Sequence, residues 1–567
     1  MNLVSLPDDV LLLIFSYLRG RDALNVALTS KRLYPLALPR IAAMIMCWTP
    51  SALRRLHSNM LSGPQLRAKY LRSLSIDIFA VCKGEQPDHL DSPYAVDVSQ
   101  AQRLGDLLLR AQNLTELSLE GFQWCLSHDP RIGPALQSMG QLANLRLSTL
   151  GDSALYVLRE CKANIQRLTL SYYLEGDYSL GGEPKTLTAL FSAISPFRNL
   201  RILKLWNFTP ETPLATDYDA FTFPSISYLR LSESGINALD MVRLCPNLST
   251  MIYSSDPEAT ALTNQLPPDV RWPPLQRLMI GEHHDIPCML NRVASVEQLH
   301  ICGEMLCSEA DDEESAHCLE LVRIASPIEL FLSVVAGNAH LAFLNDLARV
   351  ASSLCVLELK FSVPVPALQY KDWLDNLPAS LRSLDVPCLR VYLPRFLQPY
   401  VFGDDAESPA SVAGAQAVQM ESYRARALRT LPQRLAEAMP SLRLLAIMDG
   451  GPNEAILALP VNQYDHSEDT DRQGGEGQGF ETDANTVNVD DGSEGEVEES
   501  TGPSYEWDEL RRTDHFHSHK WWQVADGMDR RRLKRITVEE GKRAQQQLID
   551  SERQRRSLAA HMTSLSI

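Results

Sequence analysis

The side chains best suited to chemistry lie between residues 300 and 318, namely His300, Cys302, Cys307, His317 and Cys318. Imidazole and thiolate groups are the usual ligands of structural zinc, and an activated thiolate can also act as a nucleophile. The spacing of these residues matches no common zinc motif, and His300 and Cys302 flank Ile301, an inward position of an expected strand. We therefore expect no metal, no cofactor and no catalytic residue here, with a zinc site and a thiol centre as the alternatives.

The sequence contains none of the short motifs that usually carry enzymatic chemistry. A Gly-rich phosphate loop, a Gly-x-Ser-x-Gly elbow and a His-Glu-x-x-His helix are all missing. Three alternating histidines, His515, His517 and His519, fall in a stretch that we expect to be a solvated tail. The sequence thus predicts a protein that is not an enzyme.

Five arginines lie within repeated units of the chain, and several of them occupy x positions of successive units: Arg146, Arg167, Arg201, Arg230 and Arg277. The planar guanidinium group pairs well with carboxylate and phosphate groups. If these side chains share one face, they would form a basic stripe for an acidic or phosphorylated segment of a target protein. The alternative is a set of ordinary solvated arginines, and the choice depends on the elements that carry them.

Those elements are expected to be short strands, because the chain repeats an apolar-x-x-apolar-x-apolar unit from about Leu71 onward. Examples are Leu114-Leu117-Leu119, Leu381-Leu384-Val386 and Leu442-Leu445-Ile447. Most units start 21 to 35 residues apart, with helical patterns between them, which is a solenoid period. One strand–helix unit cannot bury its own apolar face, whereas stacked neighbours share a continuous core. We interpret Gly403–Gln419 as a loop insertion in this array.

The first 40 residues predict three short helices instead of strands. Asp8 and Asp9 suit the first turn of a helix, where the helix dipole favours negative charge, and Pro7 suits its first position. Apolar residues then follow at helical spacing up to Leu18. Gly20 is expected to end this helix, and Pro39 to follow the third one.

This opening resembles the F-box family, through Leu6-Pro7-Asp8-Asp9, the apolar run to Leu18, and Ser30-Lys31-Arg32. The resemblance implies that the helices dock on a Skp1-type adaptor, which links to a cullin–RING ubiquitin ligase. It assigns the adaptor contact, or the packing beneath it, to Leu6, Pro7, Val10, Ile14, Phe15 and Leu18. The sequence departs from the family pattern at Gly20, where a proline is common, and at Leu33, where a large aromatic residue is common.

The repeats resemble the irregular leucine-rich repeats found in many F-box proteins. The expected fold is therefore α/β: a leucine-rich-repeat solenoid, with a curved parallel sheet and helices on its convex side, preceded by a small three-helix F-box and followed by a disordered acidic tail. The expected boundaries are an F-box module over 1–45, a helical linker over 46–65, the solenoid over 66–460, an acidic disordered linker over 461–510 and a basic, partly helical tail over 511–567.

Charge is distributed unevenly along the 567 residues, whose formal net charge is −18. The segment 465–509 holds 16 acidic residues and one basic residue, while 510–567 holds 13 basic and 7 acidic residues. The body is mildly acidic, so we expect no nucleic-acid partner. The basic run 530–535 favours either nuclear import or a simple solvated segment.

The cysteines and the apolar runs indicate the compartment. Eleven cysteines with irregular spacing do not form a disulfide framework, and no apolar run is long enough to span a membrane. No secretory signal is recognisable at the N-terminus. We expect an intracellular protein of the cytoplasm, the nucleus or both, with no membrane partner.

Together, a docking module and a repeat surface indicate the substrate-recognition subunit of a Skp1–cullin–F-box ubiquitin ligase, with an unknown protein target. The alternative is a leucine-rich-repeat interaction scaffold without a ligase role, in which the N-terminal helices only cap the array.

Overall fold

The structure is a computed structural model. It describes residues 3–18, 20–61, 67–82, 97–172, 186–210, 221–255, 271–305, 312–335, 338–362, 367–394, 412–450, 518–527 and 531–565. The acidic segment 461–510, for which we expected disorder, lies outside these residues, as do Cys307, His515 and His517.

The chain begins with three helices that form a small module of their own: α1 (Asp8–Tyr17), α2 (Gly20–Leu28) and α3 (Leu33–Ile41). Pro7 stands directly before α1, one position earlier than expected. Pro39 lies inside α3, two residues before the helix ends, and not after the helix as expected. The module has a separate apolar core, formed by Leu11, Phe15, Ala23, Ala27, Leu33 and Ala37.

The rest of the described chain is organised around one sheet whose sixteen strands follow one another in chain order. The strands are β1 (Met44–Cys47), β2 (Ser73–Ile76), β3 (Glu116–Leu119), β4 (Asn144–Ser148), β5 (Arg167–Ser171), β6 (Ile202–Trp206), β7 (Tyr228–Ser234), β8 (Thr250–Ser255), β9 (Leu275–Ile280), β10 (Val296–Met305), β11 (Glu329–Val335), β12 (Val356–Ser362), β13 (Cys388–Pro394), β14 (Leu444–Gly450), β15 (Ser518–Ala525) and β16 (Arg532–Ile536). Strands β1 to β14 pair in parallel, whereas β15 and β16 are antiparallel.

Helices connect the parallel strands, as parallel pairing requires a crossover between successive strands. They are α4 (Pro50–Leu61), α5 (Val98–Arg110), α6 (Phe122–His128), α7 (Ile132–Gln137), α8 (Asp152–Arg159), α9 (Leu187–Ile194), α10 (Ile286–Leu290), α11 (Asp312–Ala325), α12 (Asn338–Val350), α13 (Ala367–Ser380) and α14 (Val412–Ala438). A last helix, α15 (Val538–Leu565), follows β16. Short 3-10 helices occupy Leu3–Ser5, Arg67–Tyr70, Ile78–Ala80, Ile236–Leu244 and His283–Asp285.

Strand alternation divides the sheet into two faces. Every second strand residue, such as Leu117, Leu145 and Leu168, is buried against the helices in one continuous core. The residues between them lie on the opposite face, which we call the open face. This is a mixed α/β architecture with a long parallel sheet and many helices, attached to an N-terminal helical module.

The sheet starts earlier than the leucine pattern indicated. Met44–Cys47 pairs in parallel with Ser73–Ile76, and α4 follows within the segment 46–65 that we interpreted as a helical linker. Leu53 and Leu56 of α4 belong to the continuous core. A strand made of methionine, isoleucine and cysteine buries the same face without the repeated leucine, which is why the sequence pattern does not indicate it.

One predicted unit was wrong by five residues. The strand expected at Leu381-Leu384-Val386 is instead β13, whose Leu389 and Val391 pair with Leu357 and Leu359. Leu381 and Leu384 are buried beyond the end of α13. The sequence permits both registers, because Val386-Leu389-Val391 has the same apolar spacing.

The insertion predicted at Gly403–Gln419 is not a loop over its second part. Val412 starts α14, which continues to Ala438. This stretch is rich in alanine, the residue with the highest helix propensity, so local preference favours the helix. Residues 403–411 lie outside the described part of the chain.

The basic C-terminal segment 511–567, expected to be a partly helical tail, contributes two strands and one long helix to the fold. Strands β15 and β16 extend the sheet beyond β14, and α15 packs back against it. No described helix is long and apolar enough to cross a membrane.

Candidate functional site

The N-terminal module presents large apolar side chains to solvent. Val10, Leu13 and Tyr17 are 37%, 58% and 81% exposed, and their spacing places them on one stripe of α1. Leu12 and Leu28 add further exposed apolar area. We call these five residues the N-terminal apolar surface. Soluble proteins rarely leave a stripe of large apolar residues, such as Val10, Leu13 and Tyr17 on α1, in water unless a partner covers it.

The opposite side of α1 faces the core of the module, and this separates packing residues from surface residues. Phe15 is 2% exposed and belongs to the module core. Leu6, Ile14 and Leu18 are half-buried. Of the residues predicted to contact the adaptor, Pro7 and Val10 are the exposed ones, Pro7 at the start of α1.

Sequence reasoning missed Leu12, Leu13, Tyr17 and Leu28. A signal for the first two was present in the unbroken apolar run from Val10 to Phe15. One face of a helix needs an apolar residue only about every third or fourth position. The surplus apolar residues of such a run must therefore point away from the core.

Two arginines of α3 and its N-terminal flank fix the geometry of the module. Arg32 donates to the carbonyl oxygens of Val4 and Leu6 and, through Nη2, to Asp8 Oδ1 at 2.7 Å. Arg40 Nε donates to the Leu18 carbonyl at 2.6 Å. These bonds tie both ends of α1 to α3, so α1 keeps its exposed stripe turned outward.

Comparison with known proteins supports this picture of the module. Residues 3–40 match the family model of the F-box-like domain. The match covers the three helices that carry the N-terminal apolar surface and stops before the sheet begins. No curated protein matches the chain. The three helices are accordingly called the F-box-like module below.

The open face of the sheet carries a basic strip on four neighbouring strands. Arg146, Lys204 and Arg230 stand in one register row on β4, β6 and β7, with Thr169 between them on β5. Arg167 stands in the adjacent row on β5. These four basic residues form what we call the β4–β7 basic strip.

Arg230 is the most constrained member of the strip. Its guanidinium lies over the Trp206 ring, with its carbon 4.5 Å from the ring centroid, and Nε donates to Ser232 Oγ at 2.9 Å. The side chain is only 7% exposed, and burial lowers the pKa of Arg230, partly offset by Tyr228 and Glu233. The stacked ring and the hydroxyl hold the cationic group in one orientation.

The other two predicted arginines have different surroundings. Arg201 is exposed, but it stands one residue before β6 and is not part of the open face. Arg277 on β9 donates to Gln298 Oε1 at 2.7 Å, and Gln298 donates in turn to Glu329 Oε2 at 3.0 Å. Arg277 therefore belongs to a hydrogen-bonded ladder across β9, β10 and β11.

The last third of the open face is covered by α15. Ile549 of this helix packs with Val356, Cys388, Leu444 and Trp521, which all lie on the open face. Arg553 pairs with Glu297 at 2.8 Å, and Arg556 donates to the carbonyls of Ser326, Pro327 and Ser353. A partner that approaches the open face therefore meets strands before β10 first.

A second ion network lies beside this helix. Arg390 Nη1 donates to Glu358 Oε2 at 2.7 Å, and the Tyr392 hydroxyl donates to the other oxygen of Glu358. Arg390 also lies 5.9 Å from the centroid of the Trp521 ring. Arg390, Glu358 and Tyr392 therefore form a hydrogen-bonded network across β12 and β13.

The thiol and imidazole candidates show the environment of ordinary packing residues. Burial raises the pKa of the Cys302 thiol to about 12, and Cys318 is 1% exposed in the main core. His300 stacks with Phe331, with ring centroids 5.7 Å apart. Within the described ranges, no three His, Cys, Asp or Glu side chains are grouped so that they could hold a metal ion.

The basic run 530–535 is divided between two environments. Arg531 donates to the carbonyls of Ala436, Met439 and Leu442, where α14 has ended and its last carbonyl groups need partners. Arg532, Lys534 and Arg535 are exposed on β16. Arg530 lies outside the described residues.

Proposed function

We propose that this chain is the substrate-recognition subunit of a Skp1–cullin–F-box ubiquitin ligase. The observation that carries the proposal is the N-terminal apolar surface on a module that matches the F-box-like family model. A Skp1-type adaptor would cover this surface, and a cullin–RING ligase would join through the adaptor. The chain itself needs no catalytic site in this role.

We further propose that the sheet and its helices form a leucine-rich-repeat solenoid whose open face binds the target protein. Fourteen parallel strands in chain order, most of them with leucines facing one shared core, support this interpretation. Binding adaptor and target on one chain places target lysines at high effective concentration near the ligase. The role implies an intracellular location.

The first test is adaptor binding by the full chain. We expect Leu13→Ala with Tyr17→Ala to weaken binding of purified Skp1 by at least about 100-fold, because buried interface anchors commonly contribute about 2 kcal/mol or more each. The same substitutions should leave the melting temperature nearly unchanged, since both side chains are exposed. Binding is measured by titration calorimetry.

The chain provides a closely matched control. Leu558 on α15 is 59% exposed, against 58% for Leu13, so Leu558→Ala removes the same apolar group at a distant site. This variant should bind Skp1 normally. If the folded wild-type chain does not bind Skp1, the ligase role is wrong and a repeat scaffold without a ligase role is favoured. If both variants bind Skp1 as tightly as the wild type, the N-terminal apolar surface is not the adaptor contact.

A further inference from the structure

The β4–β7 basic strip stands out from the charge of the whole chain. Strands β4, β5, β6 and β7 together hold four basic residues and one acidic residue, Glu233, in a protein with a formal net charge of −18. The strip lies on the part of the open face that α15 leaves uncovered. Its sign makes it complementary to an anionic partner.

The strip also combines cations with aromatic rings. Arg230 lies over Trp206, and the Lys204 ammonium lies 5.9 Å from the centroid of the Tyr228 ring. Arg146, Lys204, Trp206 and Tyr228 are half-exposed, so a ligand can reach them. A guanidinium already ordered by stacking loses little freedom when it pairs with a carboxylate or phosphate.

The carboxylates around the strip limit the kind of anion that fits. Asp77 and Glu120 act on Arg146 from the ends of β2 and β3, and Glu116 lies one strand away from the strip on β3. A uniformly charged nucleic-acid backbone would meet these groups as well as the basic ones. A peptide can place a few acidic side chains over the strip and neutral ones elsewhere.

The spacing of the row agrees with an extended peptide. Neighbouring strands lie about 4.8 Å apart, so the row from Arg146 to Arg230 spans about 14 Å. An extended chain covers this distance in about four residues, and its alternate side chains point to the same side. Two acidic residues separated by one neutral residue would therefore reach two basic groups of the row.

We propose that the β4–β7 basic strip binds an extended peptide segment of the target that carries closely spaced anionic side chains. The inference rests on the proposed function only in assigning the segment to a ligase target. The anion is a carboxylate or a phosphate, since both suit the same guanidinium and ammonium groups.

The test uses the purified full chain and an array of fluorescent decapeptides. Each peptide carries two to four glutamates at alternate positions among alanine and tyrosine, and each has one counterpart with glutamine and another with phosphoserine at those positions. Binding is followed by fluorescence anisotropy. We expect glutamate or phosphoserine peptides to bind at least about tenfold more tightly than the glutamine counterparts, and to weaken as salt rises. The better of the two identifies the anion.

The variants locate the site. Arg146→Gln with Lys204→Gln should weaken the best peptide at least about tenfold, whereas Arg201→Gln should have no effect, because Arg201 lies off the open face. Arg230→Gln is compared only if its melting temperature is normal, since that residue is buried.

Three outcomes would overturn the proposal: no anionic peptide binds better than its glutamine counterpart, Arg201→Gln weakens binding as much as the double variant, or single-stranded oligothymidine binds more tightly than every peptide. Skp1 binding is measured on the same variants and should be unchanged. If no peptide binds and Skp1 binding is normal, the proposed adaptor role stands and the strip proposal is wrong. If the peptides bind and Skp1 does not, the strip proposal stands and the adaptor role is wrong.

Discussion

At the scale of single residues, exposure separates side chains that the sequence does not distinguish. Phe15 and Leu13 are both large apolar residues of α1, two positions apart, yet one is 2% exposed and the other 58%. Truncation of Phe15 would create a cavity in the module core, whereas truncation of Leu13 changes only what a partner meets. Adaptor contacts are therefore best tested at Leu13 and Tyr17.

Gly541 on α15 lies where the neighbouring side chain leaves no room for a Cβ atom. A Cβ at this position would lie 2.3 Å from Cδ2 of Trp521, a ring with no exposed surface. Exposed helical Gly→Ala changes stabilise by about 1 kcal/mol, but overpacking costs about 1–3 kcal/mol. We expect Gly541→Ala to lower the free energy of unfolding, as measured by chemical denaturation.

The matched control is Gly20→Ala, at the start of α2, where an added Cβ meets nothing within 4 Å. This variant should be neutral or slightly stabilising. A Gly541→Ala protein more stable than the wild type would show that α15 does not pack on Trp521 in this way.

Asp129 is a buried carboxylate whose ionised form is stabilised by Arg131. It is 3% exposed and accepts hydrogen bonds from Arg131 Nε at 2.9 Å and Nη2 at 2.7 Å. Burial alone would raise the pKa of Asp129, but the hydrogen bonds and charge of Arg131 outweigh it and hold the pKa below its usual value. The pair therefore stabilises the fold above the unfolded-state pKa and loses this effect as pH falls through the folded-state pKa.

We expect Asp129→Asn to lower the free energy of unfolding at pH 7 by about 1–2 kcal/mol, since Arg131 is partly exposed to solvent. The difference from the wild type should shrink as the pH is lowered from 5 to 3, because both chains then lack the charge. Denaturation midpoints across this range provide the measurement. The control is Asp385→Asn, at an exposed carboxylate, whose stability should vary with pH as that of the wild type does. If the difference in the free energy of unfolding between Asp129→Asn and the wild type stays constant from pH 5 to 3, the pairing with Arg131 is contradicted.

At the scale of elements, the most consequential one is α15. A helix with many charged residues has little apolar surface, and its attachment depends on a narrow stripe that includes Gly541, Gln545, Ile549 and Glu552. Glu552 is 8% exposed and accepts from Arg555 and Arg556. This stripe closes the open face from β12 to β15 and leaves the strands before β10 for a partner.

The attachment of α15 can be tested at Ile549. We expect Ile549→Ala to cost at least about 2 kcal/mol and so to raise hydrogen exchange of α15 amides about 30-fold, because the helix opens locally. Leu558→Ala, on the same helix but 59% exposed, should change exchange less than twofold. Equal exchange in the two variants would mean that α15 is not held by this contact.

At the scale of the whole molecule, the two proposed binding surfaces belong to different parts of the fold. The F-box-like module precedes β1 at one end of the sheet, and β15, β16 and α15 complete the other end. The strip on β4 to β7 lies between them. Because each strand contacts only its sequence neighbours, an adaptor and a target can engage separate strands and helices.

The sequence by itself determined the order of these parts. Helical spacing predicted the three N-terminal helices, and the repeated leucines predicted most of the strands, because local periodicity decides which residues share a face. The F-box resemblance of the first helices agrees with the family match over residues 3–40. The leucine-rich-repeat character of the sheet stays a prediction.

Only the tertiary structure decided which side chains are available. The register of β13, the burial of Phe15, the exposure of Leu13 and the position of Arg201 all depend on which neighbours pack against them. The docking of α15 joins residues more than 200 positions apart, such as Arg556 and Ser353. Local pattern carries no information about such contacts, because burial is a property of the assembled chain and not of any one segment.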